Sequence, residues 1–196
     1  MSKQGIRIIP KLEEPLAPLT RMATERGWHL KKAVGRSAAE QTDGEYIFHL
    51  PKADVFIVLR DDLLPGVKFY AVLGQANERV AKFLRREIEH WTEPELFSWW
   101  DRAVESGDVD DKTDAVLYLG INTSEVPTDD YIKRIMAALS DPDKAVRNAA
   151  VVAAAYADWR VFRDALKRIA ESDPDEKARE RASFVLNGWN AEDGRA

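Results

Sequence analysis

The chain has 196 residues, of which 45% are hydrophobic and 32% are charged, and it contains no cysteine. This composition is typical of a folded globular protein, and it excludes a disulfide framework and thiolate metal sites. We therefore expect a cytoplasmic protein without a metal or other cofactor. The N-terminal residues have no signal-peptide pattern, and the longest apolar run, residues 149–157, is too short to cross a bilayer, so we expect no membrane association.

The net charge of −5 is distributed unevenly along the chain. Residues 1–92 carry 15 Lys and Arg against 12 Asp and Glu, whereas residues 93–196 carry 14 against 22. An acidic surface repels phosphate backbones and attracts basic protein surfaces. The acidic second half therefore disfavours nucleic acid, and its charge indicates either solubility alone or a protein partner with a basic surface.

The first part of the chain shows the period-two alternation of strands. After a helix near residues 16–26, Gly27 ends the helical pattern, and short turns separate segments rich in Val, Ile, Phe and Tyr. The short connections favour an antiparallel meander. The predicted strands are Trp28–Val34, Glu45–Leu50, Asp54–Arg60 and Val67–Leu73.

From residue 77 onward the apolar spacing changes to 3.6 and predicts helices only. We therefore predict an α+β fold with two parts. Residues 1–76 form a helix plus antiparallel sheet, and residues 77–196 form a helical repeat array. We expect the sheet region to pack on the first helix of the array as one rigid body, because a short array needs a cap.

The strongest pattern in the sequence is an internal repeat. The eleven residues of 140–150 recur 32 residues later with six identities, including a Ser-Asp-Pro-Asp run. Asp141 and Asp173 are predicted to be helix N-caps, with Pro142 and Pro174 at the first helical position. Residues 146–157 are almost wholly apolar, which predicts a central helix buried on several sides.

This turn and second helix resemble those of HEAT repeats. In that family an Asp and an Arg six positions apart form a hydrogen-bonded ladder along the stack, and the resemblance gives this role to Asp141 with Arg147 and to Asp173 with Arg179. Residues 95–120 resemble a third, looser unit without the Pro and the Arg. The resemblance implies an α-solenoid used mostly for protein binding, although some members are enzymes or nucleic-acid binders.

A cluster of acidic residues and two tryptophans are the candidate partner-binding residues. The acidic cluster does not fit a calcium loop, because Lys112 occupies the fifth position and no Gly follows it. Trp99 cannot share a helix face with its neighbour Trp100, and Trp159 lies in a turn. Each of them either packs inside the protein or is an interface anchor for a partner. The acidic residues are Glu105, Asp108, Asp110, Asp111 and Asp114.

We expect a binding protein rather than an enzyme, because no catalytic motif is present in the sequence. A concrete version is a bacterial immunity protein that covers the active site of a basic toxin domain. A scaffold or assembly-factor subunit is one alternative, and a HEAT-like enzyme acting on nucleic acid or a chromophore is another.

Overall fold

The computed structural model describes residues 5–63 and 65–194 and has an α+β fold. The chain divides into two compact units, Met1–Thr92 and Glu93–Ala196. The first unit contains a five-stranded sheet with two helices, and the second unit is helical. Each unit is described separately below.

All neighbouring strands of the sheet are antiparallel, and the strand order is β1-β5-β4-β3-β2. The four predicted strands and their meander are confirmed. The fifth strand, β1, was not predicted, because three residues are too few to show an alternation. The strands are β1 (Ile6–Ile8), β2 (His29–Val34), β3 (Gly44–Leu50), β4 (Val55–Asp62) and β5 (Val67–Gly74).

Helices α1 (Leu16–Arg26) and α2 (Asn77–Glu87) contribute to the apolar core of the sheet. Leu19 of α1 and Leu84 of α2 are fully buried in this core together with Ile57 of β4. Helix α2, which follows the predicted boundary between residues 76 and 77, therefore belongs to the compact unit Met1–Thr92.

The second unit consists of three successive helix pairs. Within each pair the two helices contact one another, and the second helices also contact each other in the order α4, α6, α8. Among the described residues, no helix is both long and apolar enough to cross a membrane. The helices are α3 (Glu93–Ser106), α4 (Val109–Asn122), α5 (Asp129–Leu139), α6 (Lys144–Ala157), α7 (Arg163–Ser172) and α8 (Glu176–Asp193), with a 3-10 turn at Arg160–Phe162 before α7.

Helix α6 is the buried centre of this unit, as its composition predicts. Seven of its fourteen residues are buried, and five of those are alanines. At the contact with α4, a Cβ atom added to Gly120 would lie 2.4 Å from the Cα of Ala153. Small residues on both helices therefore allow their backbones to approach closely.

Candidate functional site

Two aspartates hold the turn before α6, and each has a different role. The Oδ1 atom of Asp141 accepts the Asp143 backbone N–H at 2.8 Å, and Oδ1 of Asp143 accepts the Ala145 N–H at 2.7 Å. Asp143 is therefore the N-cap. The prediction that Asp141 is the N-cap and Pro142 the first helical residue is therefore wrong, because the helix begins only at Lys144.

The turn before α8 is built from two equivalent aspartates, although its cap accepts an N–H three positions on and not two. Asp173 Oδ1 accepts the Asp175 N–H at 2.9 Å, and Asp175 Oδ1 accepts the Ala178 N–H at 2.9 Å. Asp175 is the N-cap, and the prediction of this role for Asp173, with Pro174 as the first helical residue, is likewise wrong. Because Asp141 and Asp173 use one oxygen within the turn, each has a second oxygen for another partner.

Arg147 connects the two turns. Its Nη1 donates to the backbone carbonyl of Asp141 at 2.8 Å, and its Nε and Nη2 donate to the Asp173 carboxylate at 2.7 and 3.0 Å. Arg179 repeats the first contact, with Nη1 at 2.7 Å from the Asp173 carbonyl oxygen. The four predicted ladder residues thus lie together. Each aspartate carboxylate, however, binds the basic side chain of the preceding turn, and it does not bind the arginine six positions later in its own turn.

The Arg147–Asp173 ion pair is shielded from water. The hydrogen bonds from Arg147 hold the pKa of the Asp173 carboxyl below its usual range, and the same bonds raise the pKa of the Arg147 guanidinium. Asn148 bridges the same two turns, because its Nδ2 lies 3.1 Å from Oδ1 of Asp175. These polar contacts fix the register of the last two helix pairs.

Lys112 takes the arginine's place in the first helix pair. Its Nζ donates to Oδ2 of Asp141 at 2.9 Å, and the residue is only 8% exposed. The ladder therefore begins in the first helix pair, one pair before the helix that carries Arg147. Lys112 was not predicted as a ladder residue, because the HEAT resemblance has an arginine at this position, whereas a lysine supplies the same charge.

The turn before α4 also matches the later two turns. Ser106 Oγ accepts the Asp108 backbone N–H at 3.2 Å, as Asp141 and Asp173 do in their turns. Asp108 Oδ1 then accepts the Asp111 N–H at 2.9 Å and caps α4. In all three turns the residue that begins the motif precedes the cap by two positions and the cation by six.

The five predicted acidic residues lie together at the end of α3 and the start of α4, and we call them the acidic patch. All five are exposed. Asp108 has the capping role described above, and Asp111 Oδ1 accepts the indole N–H of Trp99 at 3.1 Å. The other three, Glu105, Asp110 and Asp114, form no ion pair within the described part of the chain.

The charge of the acidic patch affects its own members. The Asp114 carboxyl is partly desolvated although the residue is exposed, and this desolvation raises its pKa, which the negative charges of Asp110 and Asp111 raise further. The pKa of the neighbouring Tyr118 hydroxyl is raised by burial and by Asp114. The patch therefore carries negative charges that lie close enough to affect one another and that no ion pair among the described residues offsets at Glu105, Asp110 or Asp114.

The two candidate tryptophans differ in their accessibility. Trp99 is half-buried, and its ring packs edge-on against Tyr118 with centroids 5.4 Å apart, beside the acidic patch. Trp159 is only 4% exposed, and its indole N–H donates to the Ser124 carbonyl oxygen at 3.0 Å. The prediction that Trp159 anchors a partner is therefore wrong, because its ring and its polar atom are both used inside the unit.

Other features of the described residues offer less for chemistry. No group of three or more His, Asp or Glu residues in this part of the chain is arranged to hold a metal ion. An apolar groove of about 230 Å³ lies in the first unit, where Trp28 and Leu30 line it together with residues of α1 and β3. Its lining is mostly aliphatic and aromatic carbon.

Comparison with known proteins adds no relative on which a function can be based. No protein-family model, no curated protein and no solved structure matches the chain. The resemblance to HEAT repeats therefore depends on the residues of the second unit alone, namely its paired helices and its three matching turns.

Proposed function

We propose that this protein is a cytoplasmic protein-binding module whose second unit is a HEAT-like array, and that the acidic patch binds a basic surface of its partner. A bacterial immunity protein that neutralises a basic toxin domain is the specific form of this proposal. The observation that carries it is the lack of charge compensation in the patch.

Some acidic side chains elsewhere in the second unit have cationic partners. Asp101 accepts two hydrogen bonds from Arg134, and Asp193 binds Arg160 and Arg163. Glu105, Asp110 and Asp114 have no such partner among the described residues. Like charges four positions apart on a helix, as at Asp110 and Asp114, destabilise it. An opposite charge supplied from outside would remove this cost.

The charge distribution along the unit points to the same surface. Residues 93–130 contain eleven Asp and Glu but only two Lys and Arg, whereas residues 131–196 contain eleven and twelve. One of the two basic residues in the first segment, Lys112, is already paired with Asp141. The net negative charge of the unit therefore lies in the segment that contains the acidic patch, where it would accelerate encounter with a basic partner.

The patch is also held rigidly. Its residues are on two helices that contact each other, and Trp99 ties them together through Asp111 and Tyr118. Charged groups on a preorganised support lose little conformational freedom on binding. This supports binding of a partner as the role of the patch.

Two alternatives have weaker support. A scaffold or assembly-factor subunit would use the same patch, and only the identity of the partner distinguishes it from an immunity protein. A HEAT-like enzyme acting on nucleic acid would need a basic cleft, whereas the negative charge of this unit repels phosphate.

The test is capture of partners from the native host with three forms of the tagged chain. The patch variant is Glu105→Gln/Asp110→Asn/Asp114→Asn, and the control variant removes three exposed charges elsewhere, Glu25→Gln/Glu171→Gln/Glu180→Gln. We expect one stoichiometric protein that binds the wild type and the control, is lost from the patch variant, and dissociates as salt is raised.

The captured protein is then purified and titrated directly. We expect the patch variant to bind at least about tenfold more weakly than the control. Equal affinities of the two variants, or the absence of any stoichiometric partner at low salt, would contradict the proposal. Inhibition of a toxic activity of that partner would distinguish the immunity role from a scaffold role.

A further inference from the structure

The last six residues of α8, residues 188–193, have little apolar contact with the rest of the second unit, and we call them the α8 tip. Trp189 is 4% exposed, whereas the other five residues of the tip are all exposed. A helix end held by a single buried side chain has little apolar burial to stabilise it, so it is among the regions that open most easily. The polar contacts of the tip therefore decide how firmly it is held.

Two arginines of the segment that begins α7 bind the tip. Nη2 of Arg160 donates to the Glu192 carboxylate at 2.8 Å, and Nη1 of Arg163 donates to Oδ1 of Asn190 at 2.7 Å. Both arginines also form ion pairs with the Asp193 carboxylate. Two guanidinium groups thus hold three side chains of the tip.

The same arginines cover the one buried side chain of the tip. The guanidinium carbons of Arg160 and Arg163 lie 4.7 and 5.9 Å from the centre of the Trp189 ring. Guanidinium groups interact favourably with the face of an indole ring. Because the polar contacts and the cover of the ring use the same two side chains, we expect them to be lost together.

The two arginines are on a fixed support. Trp159 precedes Arg160 and is 4% exposed, and Phe162 precedes Arg163 and is fully buried. The rings of Trp159 and Phe162 also stack, with centroids 6.1 Å apart. The turn is therefore anchored in the core of the unit, and any opening moves the tip and not the turn.

Gly188 places a weak point where the tip begins. Glycine is among the poorest residues for a helix interior, because its backbone loses the most conformational freedom there. A Cβ atom added at Gly188 would meet no atom of the described residues within 4 Å, so close packing does not account for the glycine. The helix can therefore bend or unwind most easily at this residue.

The ion pairs of the tip are open to solvent. The side chains of Glu192 and Asp193 are 52% and 51% exposed, and that of Arg160 is 35% exposed. Ion pairs with this exposure are weak and are screened by salt, whereas buried pairs are screened much less. The attachment of the tip is therefore expected to depend on ionic strength.

We propose that the α8 tip is a salt-sensitive latch, which moves about Gly188 away from Arg160 and Arg163 and uncovers Trp189 while the rest of the second unit stays folded. In the closed form the two arginines and the indole ring bind one another, and in the open form all three are free for other contacts. The proposal does not depend on the acidic patch, which lies on α3 and α4.

The test is amide hydrogen exchange of the full chain, resolved by residue with NMR, at about 20 and about 500 mM NaCl. We expect exchange at residues 190–193 to be at least about threefold faster at the higher salt, measured relative to the amides of α6. The indole N–H of Trp189 should follow the same change.

Arg160→Gln/Arg163→Gln removes the latch contacts. We expect this variant to exchange rapidly at residues 190–193 already at low salt and to lose the salt dependence. Lys133→Gln/Arg168→Gln removes two exposed positive charges that form no ion pair with the tip in the described part of the chain, and it should behave as the wild type. Gly188→Ala keeps both arginines and should slow exchange in the tip at least about threefold, because it strengthens the helix at the hinge.

Exchange in the tip that does not change with salt, or that is equal in the latch variant and its control, would overturn the proposal. An equal acceleration in α6 would also overturn it, because the unit would then open as a whole. Unchanged exchange in Gly188→Ala would exclude Gly188 as the hinge.

Discussion

Arg147 of α6 binds Asp173 of the next turn through two hydrogen bonds, with Nε–Oδ2 and Nη2–Oδ1 distances of 2.7 and 3.0 Å. The same guanidinium binds the carbonyl oxygen of Asp141 in its own turn. One side chain therefore links two successive helix pairs. Its planar group suits this geometry, because it donates in several fixed directions at once.

Arg147→Ala is expected to lower the free energy of unfolding by about 3–5 kcal/mol, because it leaves the buried Asp173 carboxylate without its partner. Arg168→Ala, on the exposed side of α7, is the control, and we expect a change below about 0.5 kcal/mol. Urea denaturation followed by circular dichroism measures both. Unchanged unfolding of Arg147→Ala would mean that the ladder contributes nothing to stability.

The contribution of Asp173 is expected to depend on pH. Its pKa is lowered in the folded protein, so the stabilisation is fully present above the ordinary aspartate pKa of about 3.9 and is lost as pH falls through the lower folded value. The difference in unfolding free energy between wild type and Arg147→Ala should therefore be largest at neutral pH and should shrink below about pH 4. A difference that is constant down to about pH 2 would exclude ionised Asp173 as the cause.

The sequence predicted the secondary structure well, because the period of the apolar residues differs clearly between the two units. It predicted the wrong caps because Asp141 and Asp143 are both good capping residues, and only the hydrogen bonds show which oxygen receives which N–H. The role of Lys112 was also not visible in the sequence. A buried cation is identified by the acidic residue that it contacts, and Asp141 lies 29 residues from Lys112 along the chain.

The candidate surface residues also show that contacts between residues remote in sequence are not predicted from the sequence alone. The acidic patch was predictable, because its members are close in sequence and charged residues are seldom buried. The burial of Trp159 depends on Ser124 and Tyr131, which are remote in sequence.

Lys112→Met is expected to destabilise the protein by about 3 kcal/mol, because Asp141 then keeps an unpaired and largely buried carboxylate. Lys133→Met, at an exposed position of α5, is the control. Combining Lys112→Met with Asp141→Asn completes a double-mutant cycle, and we expect a coupling energy of at least about 1 kcal/mol. Strictly additive effects would show that the two residues do not interact energetically.

Asp114→Asn is expected to stabilise the protein slightly at neutral pH. The pKa of Asp114 is raised by partial desolvation of its carboxyl and by Asp110 and Asp111, so its ionisation opposes folding and stability is lost as pH rises through that pKa. We expect a gain of about 0.2–0.5 kcal/mol at pH 7 and none at pH 3, where the carboxyl is protonated. Glu171→Gln is the exposed control, and an equal gain there would indicate a general effect of net charge.

Two helical glycines, Gly120 and Gly188, are expected to respond oppositely to replacement by alanine. At Gly188 the added methyl meets no atom within 4 Å, so only the better helix propensity acts, and we expect a gain of about 1 kcal/mol. At Gly120 the methyl would lie 2.4 Å from Cα and 2.5 Å from the carbonyl oxygen of Ala153. These are backbone atoms, so α4 and α6 would have to separate, and we expect a loss of about 1–3 kcal/mol despite the same gain in propensity. Thermal and urea unfolding of the two variants measure the difference, and a stabilised Gly120→Ala would mean that the two helices are not in close backbone contact.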